Sequence, residues 1–187
     1  MGLQLIENIL DLYFHPNETL LKIKQGSNLK ESFLIFTTSF FSLFLSVFLS
    51  FPVSFTISKF SILFLIGTVI LFFVLSLKVM WVHFWAQILK KELEEKITDS
   101  LILSSYSFIP FYLFFPFTLI LQGTNGFLLI LICIVFIFWT FLLSVKTIQT
   151  VYSVSFFKAT LLEFSPLFIF PCFFLFTAFF IFLVKNL

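Results

Sequence analysis

Five stretches of this chain are each long and apolar enough to cross a bilayer. They lie near residues 33–55, 60–80, 101–121, 127–146 and 163–184. About 20 mostly apolar residues suffice for a spanning helix. In lipid a spanning segment must satisfy its own backbone, so the expected fold class is all-α: a polytopic membrane helical bundle with five transmembrane helices. Composition agrees. Hydrophobic residues make up 60% of the chain and charged ones 11%, and mean hydropathy is +1.16. A soluble domain carries roughly 25% charged residues to cover its surface. Residues 1–187 therefore read as a single membrane domain.

The lysines set the expected orientation, because cytoplasmic connections carry the excess of basic residues. Lys22, Lys24, Lys30, Lys90, Lys91, Lys96, Lys146 and Lys158 fall on one side of the five spans; Lys59 and Lys185 fall on the other. This puts the N-terminus and the connections 81–100 and 147–162 in the cytoplasm, and the C-terminus outside. The first 32 residues carry Glu7, Asp11, Glu18 and Glu31. They lack the basic start and short apolar core of a signal peptide, so the first apolar run is expected to remain as a span. Within 1–32, Leu3, Ile6, Leu10 and Tyr13 recur at helical spacing, as in an amphipathic helix on the membrane surface. Asn17 and Ser27 are the expected caps of the segments that follow.

Residues 81–96 are expected to lie along the interface. His83, Gln87, Lys90, Lys91 and Glu94 share one face of a helix, with Val82, Trp85, Ala86, Leu89 and Leu93 opposite. Trp81 and Trp85 suit the aromatic belt. Lys78 falls off that polar face, inside the second apolar run. The favoured reading is that its stem carries the ammonium to the headgroups; the alternative is an intramembrane polar contact with an ion or solute.

No catalytic motif, metal-ligand cluster or cofactor fingerprint occurs, so the chain is expected not to be an enzyme. Cys133 and Cys172 lie in apolar runs and read as packing residues. The net charge of +2 is too small for a nucleic-acid partner. The bilayer is the expected partner, together with other membrane proteins or a second copy of the chain. The 34 Phe and the absence of Arg read as compositional bias. Prolines at 110, 116, 166 and 171 are expected to shape the third and fifth spans, the alternative being broken helices that line a site. A shift of 56 residues lays Lys90 on Lys146 and Pro110 on Pro166, suggesting two hairpins in parallel repeat.

Several residues carry a family resemblance. Pro16 and Glu18 precede the first span, and His83 ends the second. Tyr106 stands a few positions before Pro110 where the third opens, and Trp139 lies in the fourth. In these features the chain resembles the Yip-domain family of membrane proteins, from about Tyr13 to Val184. Asp11-Leu12-Tyr13 with Pro16 approximates an element of eukaryotic members, and the glycines common in the second cytoplasmic connection are absent. The resemblance implies a helical membrane domain with a cytoplasmic N-terminus and no known enzymatic activity. Without a long soluble N-terminal region the chain looks like the compact bacterial or archaeal members, which implies a multi-pass protein of a prokaryotic cytoplasmic membrane. The GTPase association of eukaryotic relatives is not carried over.

Overall fold

The computed structural model describes residues 2–26, 28–50, 57–90, 96–121 and 126–167. They form α1 (Gly2–Phe14), α2 (Pro16–Gly26), α3 (Leu29–Ser50), α4 (Ile57–Leu89) and α5 (Ile97–Tyr106). A 3-10 turn (Ile109–Leu113), α6 (Phe114–Ile120) and α7 (Gly126–Tyr152) follow, then α8 over 156–167. Among the described residues there is no strand. Among these residues four spans are long and apolar enough to cross a membrane: Leu29–Phe48, Ile57–Leu89, Ile97–Ile120 and Phe127–Tyr152. They correspond to the first four expected. The fifth, near 163–184, lies largely outside the described residues.

Two helices run past the C-terminal ends expected for their spans. α4 continues unbroken through 81–89, beyond the expected end of the span at residue 80, and α7 continues to Tyr152. The exposed apolar side chains of α4 extend from Ile57 to Leu89, about 48 Å at ~1.5 Å per residue. A hydrocarbon core is about 30 Å thick, so α4 reaches past it into the interfacial regions even when tilted. The two-hairpin register also fails at these ends. Lys90 follows the end of α4, whereas its counterpart Lys146 lies inside α7.

The third span is the most buried of the four, and it is not one helix. α5 ends at Tyr106 and the chain tightens into the 3-10 turn before α6. Pro110 has no amide to donate to an α-helical ladder, and its ring crowds the preceding turn. Pro116 sits in the first turn of α6, where a missing donor costs little. Neighbouring helices supply what the break removes. The Ser42 hydroxyl on α3 donates to the Tyr112 carbonyl at 3.2 Å and accepts from the Phe115 amide at 3.3 Å. Thr38 bonds the Tyr112 hydroxyl. Ser42→Ala removes both bonds and is expected to cost about 1–2 kcal/mol. Ser61→Ala removes only a bond from Ser61 to its own helix, to the Ile57 carbonyl, and is expected to cost less than about 0.5 kcal/mol. Thermal unfolding of both variants in one detergent compares them; equal midpoints would rule out this repair role.

Phenylalanine is used structurally between α3 and α4. Phe40 stacks on Phe64 at 5.6 Å, and Phe41, Phe44 and Phe48 meet Phe60 and Phe64 at 5.0–6.5 Å. Gly67 makes the close approach possible, since a Cβ there would lie 3.2 Å from the Phe40 ring.

The N-terminal segment packs into the bundle. Leu12, Leu20 and Ile23 are buried in the main core with Val82, Leu103, Val145 and Val151. Leu10 and Phe14 face outward, so α1 has apolar side chains both on the core and away from it. The side chains of Leu3 and Ile6 lie outside the described residues. Pro16 takes the first helical position of α2, which suits its fixed φ and missing amide. Asn17 does not cap this helix; its side chain accepts from Lys146 at 2.8 Å. α3 is capped by Asn28, whose Oδ1 accepts from the Glu31 amide at 3.0 Å. The expected cap, Ser27, lies outside the described residues.

Candidate functional site

Lys78 points across the bundle. Its ammonium pairs with the Glu163 carboxylate of α8 and donates to the Ser144 hydroxyl of α7 at 3.1 Å. Their side chains are 28% and 9% exposed. Exposed apolar residues of α4 continue beyond Lys78, through Met80, Phe84 and Ile88 to Leu89. The end of α4 is ~16 Å further along the axis. A carboxylate from a neighbouring helix faces the Lys78 ammonium within the bundle. Next to the pair, the Trp81 indole donates to the Ser165 hydroxyl at 3.1 Å, a second tie between α4 and α8. Glu163 Oε2 and Thr140 Oγ1 are buried polar atoms that hold no hydrogen bond among the described residues.

His83 is also turned inward. Its Nδ1 lies 3.0 Å from the Tyr152 hydroxyl and its Nε2 lies 3.1 Å from the Gln87 amide. If the Gln87 amide donates to Nε2, Nδ1 carries the proton and donates to Tyr152. This revises the amphipathic reading of 81–96. Val82, His83 and Ala86 are buried together, while Phe84, Trp85, Ile88 and Leu89 are exposed. The polar face is not uniformly outward, because Tyr152 satisfies the imidazole from inside. Lys91 and Glu94 lie outside the described residues.

The C-terminus of α7 gathers charge from two other helices. Ser153 follows it with φ 52°, and its amide reaches back to the Gln149 carbonyl at 2.8 Å. Lys24 Nζ approaches the Val151 carbonyl at 3.5 Å and Lys90 Nζ the Tyr152 carbonyl at 3.4 Å. Cations there satisfy orphan carbonyls and oppose the negative end of the helix dipole. The lysines of α2, of the end of α4 and of α7 thus meet at one end of the bundle. Lys59 is 31 residues from Lys90 along the chain of α4, ~46 Å by helical rise.

Of the residues singled out from sequence, Tyr106 is fully buried at the centre of the main core. Pro110 is buried in the 3-10 turn. Trp139 packs against the same core and meets Tyr13 edge-on at 5.0 Å. The Tyr13 hydroxyl donates to the Ile109 carbonyl at 2.9 Å, beside Pro110. Burial, reinforced by nearby Tyr112, pushes the Tyr13 phenol above its ordinary value, so it remains a donor. Pro16 and Glu18 sit at the start of α2, with Glu18 exposed in its first turn, where an acid complements the helix dipole. Tyr106, Pro110 and Trp139 thus surround one packed junction that α1 closes. Lys78 belongs to a different cluster, with Glu163 and Ser144.

Glu163 opens the fifth expected span, 163–184, and no motif in the sequence joins it to Lys78. The two lie 85 residues apart, with no local pattern linking them. The available signal was pairing by elimination, since both are ionisable groups at the margins of apolar runs. Tyr152 as the partner of His83, 69 residues away, carried no such signal. Among the described residues no group of three or more His, Cys, Asp or Glu gathers to hold a metal.

The helical architecture and its apolar, outward-facing spans define an integral, multi-pass membrane protein. Its family follows from comparison with known ones: the Yip1 domain model matches residues 10–179, and the chain belongs to that family. No curated protein and no solved structure matches it significantly. Members of the family are membrane proteins not known as enzymes.

Proposed function

We propose that the protein is a non-enzymatic membrane scaffold that organises lipid or binds protein partners through its lysine-rich end, and that this end faces the cytoplasm. The observation that carries the proposal is the docking of α1 and α2 against the end of α7. Leu20 and Ile23 are buried there, and Lys24 and Lys146 bond across the junction. A preformed surface of this kind presents exposed groups at little ordering cost. The concentration of lysines at that end favours the cytoplasmic side. A fifth span over 163–184 would then bring the C-terminus outside. A prokaryotic cytoplasmic membrane is the proposed location, and Tyr106, Pro110, Trp139 and His83 are proposed to maintain the scaffold. Crosslinking in native membranes with mass spectrometry tests this reading. Specific partners linked to α1, α2 or the 153–155 connection are expected. Recovery of none, with unchanged membrane behaviour on deletion, would refute it.

A second reading, a channel or small-solute transporter component, draws on the Lys78–Glu163 pair, since ionisable groups within spans commonly mark solute or ion paths. Liposomes holding the purified protein would then show flux that Lys78→Ala changes. Absence of flux over a broad ion and solute panel would remove this reading.

A further inference from the structure

A groove of about 430 Å³ runs between the end of α4 and α8. Its walls are Trp85, Leu89, Phe157, Leu161 and Leu162, with Lys158 and Ser165 also lining it. Trp81 is tied to that same Ser165, seven residues along α8 from Lys158, ~10 Å by helical rise. Phe157, Leu161, Trp85 and Leu89 are exposed, and on α4 they continue into the apolar surface of Phe84 and Ile88. Lys158 is exposed. The groove is thus apolar along its length and open toward the lipid-facing surface. Its cation is Lys158.

We propose that this groove binds one anionic phospholipid, with the headgroup at Lys158 and an acyl chain along Trp85, Leu89 and Leu161. The volume falls within the ~300–1,000 Å³ range of apolar ligand sites that carry a few polar groups. Two features favour a lipid over an acidic peptide. The walls are continuous with the bilayer-facing surface of α4, and Lys158, the one cation among the described lining residues, matches a headgroup beside a chain. The inference rests on the proposed placement of the lysine-rich end at a leaflet surface.

The full chain, reconstituted in phosphatidylcholine vesicles with equal fractions of brominated phosphatidylglycerol or brominated phosphatidylcholine, tests it through tryptophan quenching. Wild type is expected to prefer the anionic lipid about fivefold, the equivalent of ~1 kcal/mol for one lysine near the surface. Lys158→Gln should abolish the preference and Lys158→Arg should keep it. Lys30→Gln, exposed on α3 and outside the groove, should leave it intact. Equal quenching by both lipids in vesicles that float with the inserted chain would overturn the site and leave the scaffold reading standing. A preference lost equally in Lys30→Gln would also overturn it, showing only a diffuse basic surface. Quenching by neither lipid, with the chain dimeric, would overturn it by assigning the groove to a second copy. Failure of the chain to float with vesicles would overturn both readings.

Discussion

Lys78→Met is expected to destabilise the bundle by about 3–5 kcal/mol, because it leaves a buried carboxylate without its counter-charge. Glu163 is the more enclosed partner, so removing its lysine is the more damaging half of the exchange. Glu163→Leu leaves an ammonium with partial access and a remaining bond to Ser144; its expected cost is smaller, on the order of 1–3 kcal/mol. The double variant Lys78→Met/Glu163→Leu removes both charges together. It is expected to return within about 1 kcal/mol of wild type, since well-packed apolar replacements of buried pairs are often neutral. Reversible unfolding in mixed micelles gives the three values and the coupling between them. Singles that cost less than about 0.5 kcal/mol each and add without coupling would mean that the pair does not hold α4, α7 and α8 together.

Leu20→Ala is expected to cost about 2–5 kcal/mol, the range for a fully buried leucine that leaves a cavity. Its side chain is 0% exposed in the core shared by α2 and α7. The loss should fall mainly on the N-terminal helices, since they are joined to α3 only through the short stretch around Ser27. Limited proteolysis should therefore cleave α1–α2 in the variant faster than in wild type. Leu21→Ala, whose side chain is half exposed next door, is the control and should shift stability by less than about 0.5 kcal/mol. Equal protection of α1–α2 in Leu20→Ala and wild type would mean that this core contact does not hold the segment.

The spans were legible because continuous apolar length is a local property of sequence. Four of the expected five coincide with apolar helices, displaced by several residues at the ends. The ends were hard to place for one physical reason. Lys78, His83 and Lys146 look like boundary residues when hydropathy alone is read. Each finds a partner inside the bundle or across it: Glu163, Tyr152 and Asn17. Tertiary hydrogen bonds let an α-helix carry polar groups past the point where its sequence turns polar. The third span shows the converse. Its apolar run reads as one helix with a kink at Pro110, yet the chain adopts a 3-10 turn because Ser42 and Tyr13 are placed to take up the freed backbone groups. The family motif was legible as isolated residues. That Tyr106, Pro110 and Trp139 form one junction with Tyr13 required the fold. Leu3, Ile6, Leu10 and Tyr13 share the stripe that suggests a surface helix; Leu12, buried in the main core, lies on another.

The central claim is that α1 and α2 belong to the bundle at its lysine-rich end, and that this end faces the cytoplasm. Single cysteines placed at Lys22, Lys59 and Lys158, with Cys133 and Cys172 replaced by alanine, test it directly with a membrane-impermeant maleimide on intact cells. The expected result is labelling at position 59 alone, with 22 and 158 labelled only after the membrane is opened. Labelling at 22 and 158 in intact cells, with 59 protected, would contradict the account.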